Sequence, residues 1–153
     1  LTVYEFSDYN CGYCKRMFAP IMQMLAANDD VRFVIKEFPI LSQSSVTAAK
    51  AGIAAQKQGK FKSFHAEMMT YRGQVNDASI MQAAGAAGLD LAQLKQDMDS
   101  RKTTAIITRT RNAATALNIN GTPGLVIGDT VIPGLIGMEE LQTVINEERT
   151  KQG

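Results

Sequence analysis

The residues of this chain best suited to chemistry are two cysteines in the segment Cys11-Gly12-Tyr13-Cys14, the only cysteines among its 153 residues. The segment follows a short β-forming run and precedes an amphipathic helical pattern. Two thiols at this spacing can close a disulfide bond, and such a pair can alternate between dithiol and disulfide. A structural zinc site normally uses four Cys or His ligands, and His65 is the only other candidate of that kind. The spacing therefore favours redox chemistry over zinc binding.

The position of the first cysteine, at the expected start of a helix, predicts unequal reactivity. A free thiol has a pKa of about 8.5, and the unpaired N–H groups and dipole of a helix N-terminus can lower it to roughly 3.5–7.5. We therefore predict that Cys11 is the nucleophile and that Cys14 resolves mixed disulfides. Gly12 leaves the backbone open and Tyr13 offers a hydroxyl, so both are predicted to contact substrate. Two alternatives are an inert bridge at the helix end and Cu(I) binding by the two thiolates.

A second candidate element is Thr122-Pro123, within Gly121-Thr122-Pro123-Gly124 and directly before a predicted β-hairpin. Only about 5–6% of X–Pro bonds in folded proteins are cis. This glycine-flanked context, in a chain that already carries a strand–CxxC–helix unit, nevertheless predicts a cis bond. A cis proline facing the disulfide would expose the backbone of Thr122, with which an extended peptide can pair as an added strand. Thr122 is therefore a predicted substrate contact.

Glu5 stands in the middle of an apolar strand, six residues before Cys11. A carboxyl group in that position should be partly buried with a raised pKa, and could accept the proton of Cys14 through water. Lys36, in the adjacent predicted strand, is the expected charge partner of Glu5. The alternative is that both side chains point to solvent at strand ends.

Other chemically able side chains are predicted to be structural. His65 lies on an amphipathic helical pattern and is expected to be a hydrogen-bonded core histidine rather than a catalyst. The eight methionines mostly follow apolar helical stripes and are expected to fill the core rather than bind copper.

The elements that must position these residues follow from periodicity and turn signals. They read as a β-α-β unit, a helical block over about 42–117, and a β-β-α unit. Pro20 should kink the first helix because it lacks an N–H, and Gly128-Asp129 should form a type II′ hairpin turn. The predicted segments are strands 2–7, 31–38, 125–127 and 130–132, a first helix after Cys11, helices 46–58, 60–71, from a cap at Asp77, from Asp90 and 103–117, and a closing helix 138–148.

This order predicts an α/β fold with a thioredoxin-like core and a helical insertion between its second and third strands. The length fits one domain, 1–153. A net charge of +1, with the charges scattered along the chain, gives no nucleic-acid footprint, and no apolar run reaches the length of a membrane span. Because the chain opens directly in strand-like sequence, we expect it to be the processed or trimmed form of a longer precursor.

Three segments together resemble the DsbA family of bacterial thiol–disulfide oxidoreductases, within it most the ScsC-like and 27 kDa outer-membrane-protein branch. They are EFSDYNCGYC (5–14) with KRMFAP (15–20), FHAEMM (64–69) and GTPGLVIGDTVIPG (121–134). The resemblance implies Cys11 as attacking thiol, Cys14 as resolving thiol, Pro123 as the cis proline and Glu5 as the buried acid. It also implies a Gram-negative periplasmic setting, unfolded or misbridged protein substrates, a membrane redox partner and no cofactor.

The chain departs from the strongly oxidising members of that family at three positions. Those members carry proline and histidine between the cysteines and valine before the cis proline, whereas this chain has Gly12, Tyr13 and Thr122. The resemblance then implies a less oxidising couple. Threonine at that position resembles the isomerases DsbC and DsbG, which act as oligomers through an N-terminal segment, so an oligomeric full-length form is expected. Oxidase and isomerase activity, or that of a thioredoxin-like reductase, are all compatible with two cysteines.

Overall fold

The computed structural model describes residues 1–153 and contains four strands and seven helices. The strands occupy the two ends of the chain, and five of the helices lie between the second and third strands. The elements are β1 Thr2–Ser7, α1 Gly12–Ala27, β2 Arg32–Glu37, α2 Gln43–Lys57, α3 Phe61–Thr70, α4 Asp77–Ala86, α5 Leu91–Met98, α6 Arg101–Ala116, β3 Gly124–Ile127, β4 Thr130–Pro133 and α7 Met138–Gln152.

The strands form one sheet in the order β2-β1-β3-β4. β1 and β2 are parallel and joined through α1, while β3 pairs antiparallel with both β1 and β4. Gly128 has a φ of 57° and Asp129 is not in the positive-φ region, which is the pattern of the predicted type II′ turn. The predicted α/β fold class, with its helical insertion, is confirmed.

The two faces of the sheet meet different layers because successive side chains of a strand point in opposite directions. The face that carries Val3 packs against α1 and α7, in a cluster with Met17, Leu125 and Ile145. The opposite face, that of Phe6, meets residues at the C-terminal end of α6 and beyond it. Odd-numbered residues of β1 therefore look toward α1, the helix that carries the cysteines.

The helical insertion has its own core, which reaches the cysteines. The largest cluster of buried apolar residues joins α2, α3, α4 and α5 to both Cys11 and Cys14. Small side chains of α2 allow this close packing, and Phe64 and Met68 of α3 are fully buried. None of the methionines is exposed, as expected for core residues. The cysteine pair thus lies where the insertion meets the sheet layer.

The helix bounds differ from the predicted ones by up to four residues: α7 continues to Gln152 rather than ending at residue 148, and side-chain caps set several of the starts. α2 begins at Gln43 rather than at residue 46, because Ser42 accepts a hydrogen bond from the Ser45 amide. The predicted cap at Asp77 is wrong: Asn76 caps α4 in a reciprocal pair with Ser79. Pro20 lies inside α1. No helix combines the length and apolar character needed to cross a bilayer.

Candidate active site

Cys11 is the N-cap of α1. Its backbone is extended, with φ −82° and ψ 114°, and its Sγ accepts a hydrogen bond from the backbone N–H of Cys14 at 3.2 Å. Cys14, one turn along, is 1% exposed, and both residues are free thiols. Between them Tyr13 is 55% exposed, and a Cβ placed on Gly12 would meet no atom within 4 Å. The two residues between the cysteines therefore form the open face of the pair.

The two thiols differ in proton affinity. A hydrogen bond from the Cys14 thiol, together with others from the Thr122 side chain and the α1 amides, lowers the pKa of Cys11 to about 6 against the opposing effect of burial. The same thiol–thiolate hydrogen bond raises the pKa of Cys14 well above its ordinary value, and burial raises it further. At neutral pH Cys11 is a thiolate and Cys14 a thiol. This difference gives a physical basis for the predicted roles of Cys11 as the nucleophile and Cys14 as the resolving thiol.

The proline loop faces Cys11. The Thr122–Pro123 peptide bond is cis, and the Cys11 thiol lies within hydrogen-bond distance of the Thr122 carbonyl oxygen, at 3.4 Å. The carbonyl of Pro123 accepts a hydrogen bond from the Gly134 amide at 2.8 Å, which ties the loop to the end of β4. The structure therefore brings together Cys11, Thr122 and Pro123, which are far apart in the sequence.

Glu5 is buried beneath the cysteines. It is 3% exposed, and burial, with the nearby negative charge of Cys11, raises its pKa to about 8. Its charge in turn contributes to the raised pKa of Cys14. Its Oε1 atom has no hydrogen-bond partner within the protein. The burial and raised pKa predicted for this carboxyl group are confirmed.

The predicted pairing of Glu5 with Lys36 is wrong. Lys36 lies opposite Phe6 in the parallel register, whereas Glu5 lies opposite Ile35. Partners in register share a face, so Lys36 is on the far side of the sheet from Glu5. Its Nζ lies 6.0 Å from the centre of the Tyr4 ring on that side.

A second buried carboxyl group, Glu37, shares the face of Glu5. Glu37 lies opposite Ser7, and its Oε1 accepts a hydrogen bond from the Tyr9 hydroxyl at 3.0 Å. The same hydroxyl is 2.9 Å from Nδ1 of His65, which is 7% exposed. Burial raises the pKa of Glu37 and lowers that of His65 to about 4. His65 is thus the neutral, hydrogen-bonded histidine that the sequence led us to expect.

The sequence reasoning missed Glu37 and Tyr9, since the hydrogen bonds join residues 28 and 56 positions apart. Strand alternation was the one available signal. With the register known, Glu37 rather than its neighbour Lys36 is the residue of β2 that shares the face of Glu5.

Asp8 organises the loops around the cysteine pair and was also missed. Its buried carboxylate accepts hydrogen bonds from the amides of Asn10, Ile40 and Leu41 at 2.8, 2.9 and 3.0 Å, and from the Ser45 hydroxyl at 2.7 Å. One side chain therefore joins the loop before α1, the loop after β2 and the first turn of α2. Ile40 and Leu41, held in this way, expose apolar side chains beside the site.

The fold and the site define a class of protein: a thioredoxin-like domain with a reactive dithiol at a helix N-terminus, faced by a proline loop and backed by a buried acid. No group of three or more His, Cys, Asp or Glu side chains converges closely enough to hold a metal ion. The chain belongs to the DsbA-like family, because the family model of the DSBA-like thioredoxin domain matches residues 2–146. The resemblance seen in the sequence is thereby confirmed.

Solved structures similar to this chain include a thioredoxin-like oxidoreductase from Silicibacter pomeroyi DSS-3, at 39% identity and a TM-score of 0.95 over 97% of this chain and 86% of that one. ScsC of Proteus mirabilis in a compact conformation is 28% identical, with a TM-score of 0.91 over 100% and 85%. A periplasmic thioredoxin-like protein from Salmonella enterica serovar Typhimurium is 31% identical, with a TM-score of 0.89 over 97% and 83%.

The curated relatives are much longer proteins. One of them, the Na(+)/H(+) antiporter NhaA 3 of Salinispora tropica, is 24% identical over 147 residues, which cover 95% of this chain and 22% of that protein. The chain thus spans about a fifth of the length of the curated relatives that it matches.

Proposed function

We propose that this chain is a protein thiol–disulfide oxidoreductase that exchanges its Cys11–Cys14 pair with cysteines of exported proteins, as an oxidase or an isomerase. The observation that carries the proposal is the contrast between the two thiols. Cys11 is a thiolate at neutral pH on the open side of the helix start, and Cys14 is a buried thiol one turn away. That arrangement suits attack by one sulfur and resolution by the other.

The exchange balances without any cofactor. The Cys11 thiolate attacks one sulfur of a substrate disulfide, forms a new S–S bond and releases the other sulfur as a thiolate. Cys11 is uncharged in the mixed disulfide, so one of the two causes that raise the pKa of Glu5 is removed. Cys14 then gives its proton to the charged form of Glu5 and attacks Cys11, which closes the Cys11–Cys14 disulfide and releases the second substrate thiolate. The net result is a reduced substrate and an oxidised protein. Oxidation of a substrate dithiol is the same sequence in reverse, with Glu5 returning the proton to Cys14.

The substrate is proposed to be an unfolded or misbridged polypeptide that binds in extended form. Thr122, before the cis proline, presents backbone groups next to Cys11, and an extended peptide can pair with such groups as an added strand. Gly12 and Tyr13 would contact the same peptide, since Gly12 leaves space and the Tyr13 ring is exposed. Pro123 would hold the loop in position.

A periplasmic location in a Gram-negative cell, with a membrane protein as redox partner, completes the proposal. The location is supported by the likeness to the periplasmic thioredoxin-like protein of Salmonella enterica. An oligomeric full-length form, built through an N-terminal segment, belongs to the same proposal.

The test is thiol exchange by the protein and its two single-cysteine variants. Cys11→Ser should abolish exchange with a peptide disulfide, and Cys14→Ser should accumulate a mixed disulfide with the peptide, detectable by mass spectrometry. Full exchange activity in Cys11→Ser would refute the mechanism. The reduction potential, measured in glutathione buffers, then gives the direction: a value near about −120 mV favours a disulfide donor, and one near about −270 mV a reductase.

A further inference from the structure

Three polar side chains lie together on the face of the sheet that looks toward α1. Glu5 and Ser7 are two residues apart on β1, and Glu37 lies directly opposite Ser7 on β2. All three are buried, and both Glu5 Oε1 and Ser7 Oγ lack a hydrogen-bond partner within the protein. Buried polar atoms in folded proteins are nearly always hydrogen-bonded to protein or to ordered water. Two such atoms on one face of a strand can both be satisfied by one bridging water molecule.

The hydrogen bonds of Glu37 continue away from this point. The Tyr9 hydroxyl lies between Glu37 Oε1 and His65 Nδ1, at 3.0 and 2.9 Å. A hydroxyl has one proton, so two arrangements are possible. Either Tyr9 donates to Glu37 and accepts from Nδ1, or Tyr9 donates to Nδ1 and accepts from a protonated Glu37. A switch from the second arrangement to the first moves one proton from Glu37 toward His65.

Neighbouring residues hold the side chains of Glu37, Tyr9 and His65 in place. Gly52 of α2 permits the approach of both groups, since a Cβ there would lie 2.9 Å from Glu37 Oε1 and 3.2 Å from the Tyr9 hydroxyl oxygen. His65 is stacked on Phe61 and meets the edge of Phe18. His65 and Glu37 also line a groove of about 770 Å³ along the exposed edge of β2. The hydrogen-bonded series Glu37–Tyr9–His65 therefore leads from the interior behind the dithiol toward solvent.

We propose that Glu37, Tyr9 and His65 form a proton relay behind the dithiol, which exchanges a proton with Glu5 through a water held by Glu5 and Ser7. This inference rests on the proposed thiol–disulfide exchange. It assigns a role to three residues that the exchange reaction itself does not touch, so they act through Glu5 as positioning residues.

When Cys14 attacks Cys11, its proton passes to the charged form of Glu5, the sulfur electron pair forms the Cys11–Cys14 bond, and the substrate sulfur leaves Cys11 as a thiolate. In the arrangement in which a protonated Glu37 donates to Tyr9, Glu37 gives its proton to Tyr9 as the hydroxyl proton of Tyr9 moves to Nδ1 of His65, and Nε2 of His65 loses one to solvent. The imidazole therefore stays neutral, which its burial favours. Glu5 then passes its proton through the water to the carboxylate that this leaves on Glu37.

The ionisable groups that face this path come from four elements. Cys11 and Cys14 belong to α1, Glu37 to β2 and His65 to α3, while Asp8, in the loop after β1, also contributes to the raised pKa of Glu37. On the β3 side Glu5 faces Leu125, which carries no charge. Lys36 lies on the other face of the sheet. Arg32, Lys57 and Lys62 line the groove at the outer end of the path, together with Glu37 and His65. At the inner end, burial raises the pKa of both Glu5 and Glu37.

The test is the pH dependence of the resolving step in Tyr9→Phe and Glu37→Gln. Each reduced variant is mixed with glutathione disulfide, and the second release of glutathione, by attack of Cys14 on Cys11, is followed by stopped flow from pH 5 to 10. Tyr9→Phe should slow this release roughly tenfold at neutral pH. The expected loss is smaller than the hundredfold or more that general acid–base catalysis typically contributes, because Glu5 remains in place. Glu37→Gln should lower the midpoint of the pH profile, because it removes a neighbouring acid. The solvent deuterium isotope effect should change in both.

Two variants separate a relay from mere packing. Phe64→Leu removes the aromatic ring that packs against Tyr9 but leaves every proton-carrying group in place. Tyr4→Phe removes a hydroxyl group on the opposite face of the sheet. Both should keep the wild-type pH midpoint and isotope effect. The relay is refuted if Tyr9→Phe slows release no more than Phe64→Leu, or if Tyr9→Phe and Glu37→Gln keep the wild-type midpoint and isotope effect. Initial attack by Cys11 on glutathione disulfide, measured in the same samples, tests the proposed function separately.

Discussion

At the scale of single residues, the site works by giving two identical side chains different environments. Cys11 is stabilised as a thiolate by hydrogen bonds from the Cys14 thiol, the Thr122 side chain and the helix amides. Cys14 is kept protonated because it is buried and donates to Cys11. The carboxyl group that can exchange a proton with Cys14, Glu5, is itself held near a pKa of about 8 by burial. The asymmetry therefore depends on a few identifiable contacts.

The contribution of Thr122 to this asymmetry can be measured directly. Thr122→Val removes the hydroxyl but keeps the shape, so the pKa of Cys11 should rise from about 6 toward the ordinary value for a thiol. Thiolate absorbance at 240 nm, titrated from pH 4 to 9, measures the change. Cys14→Ala is the matched comparison and should raise the Cys11 pKa more, because the Cys14 hydrogen bond is the largest stabilising contact. An unchanged titration in Thr122→Val would contradict this account.

Burial of Glu5 should be visible in protein stability. Its folded-state pKa, about 8, lies above the ordinary 4.5, so its contribution to stability is present below pH 4.5 and is lost as the pH rises through 8. Glu5→Gln removes the ionisable group and should raise the free energy of unfolding by about 2–4 kcal/mol at pH 9, with little change at pH 4. Urea unfolding at both pH values measures this. A gain of equal size at both would show that ionisation is not the cause.

Local sequence patterns predict the environment of single residues at this site but not their partners. The burial of Glu5 followed from its place in an apolar strand, and the role of Cys11 as a helix cap followed from the strand–CxxC–helix order. The pairing with Lys36 failed because it needed the register of β2, which no local pattern contains. The Tyr9–Glu37–His65 contacts were out of reach for the same reason.

At the scale of elements, the site depends on loops that side chains tie together. Asp8 joins the loop before α1 to the loop after β2 and to α2. The strands and helices themselves were predictable, because periodicity is a local property of the sequence. Their bounds shifted where caps such as Ser42 and Asn76 intervene. The contacts of Asp8, by contrast, join segments more than 30 residues apart and appear only in the folded chain.

The ties made by Asp8 can be tested by Asp8→Asn. One oxygen of Asp8 accepts from both Ile40 and Leu41, and an amide nitrogen in its place cannot accept either hydrogen bond. We expect a loss of about 2–4 kcal/mol, since hydrogen bonds to a charged group each contribute about 1.5–3 kcal/mol. Hydrogen exchange should quicken at the amides of Ile40 and Leu41. Asp29→Asn, at an exposed aspartate, is the control and should change neither.

At the scale of the whole molecule, the reactive pair sits where the helical insertion meets the sheet layer. The cysteines share the core of the insertion, while Glu5 belongs to the sheet. A change in the charge of Cys11 should therefore change the free energy of unfolding of the whole domain. Because Glu5 is buried in both redox forms, the effect of its burial cancels when reduced and oxidised protein are compared, and what remains is the effect of the thiols and of their interaction with Glu5.

That comparison should depend on pH. In the reduced protein the folded-state pKa of Cys11, about 6, lies below the ordinary value for a thiol. Its contribution to stability is therefore fully present above the ordinary thiol pKa and is lost as the pH falls through 6. The free energy of unfolding of the reduced form, minus that of the oxidised form, should rise between pH 5 and 8.5. Parallel urea curves for both forms measure it, and a flat difference would contradict the lowered pKa.

The adjacency of Lys36 and Glu37 has a consequence for how easily this protein can change. The strand carries an ammonium and a carboxyl group at consecutive positions, so only the parity of the register decides which of the two lies on the same face of the sheet as Glu5. A one-residue slip or deletion in β2 would exchange them and turn a pair of like acids into a pair of opposite charges. A single small genetic event in a strand remote from the cysteines could thus reset the acidity of the carboxyl group beneath them.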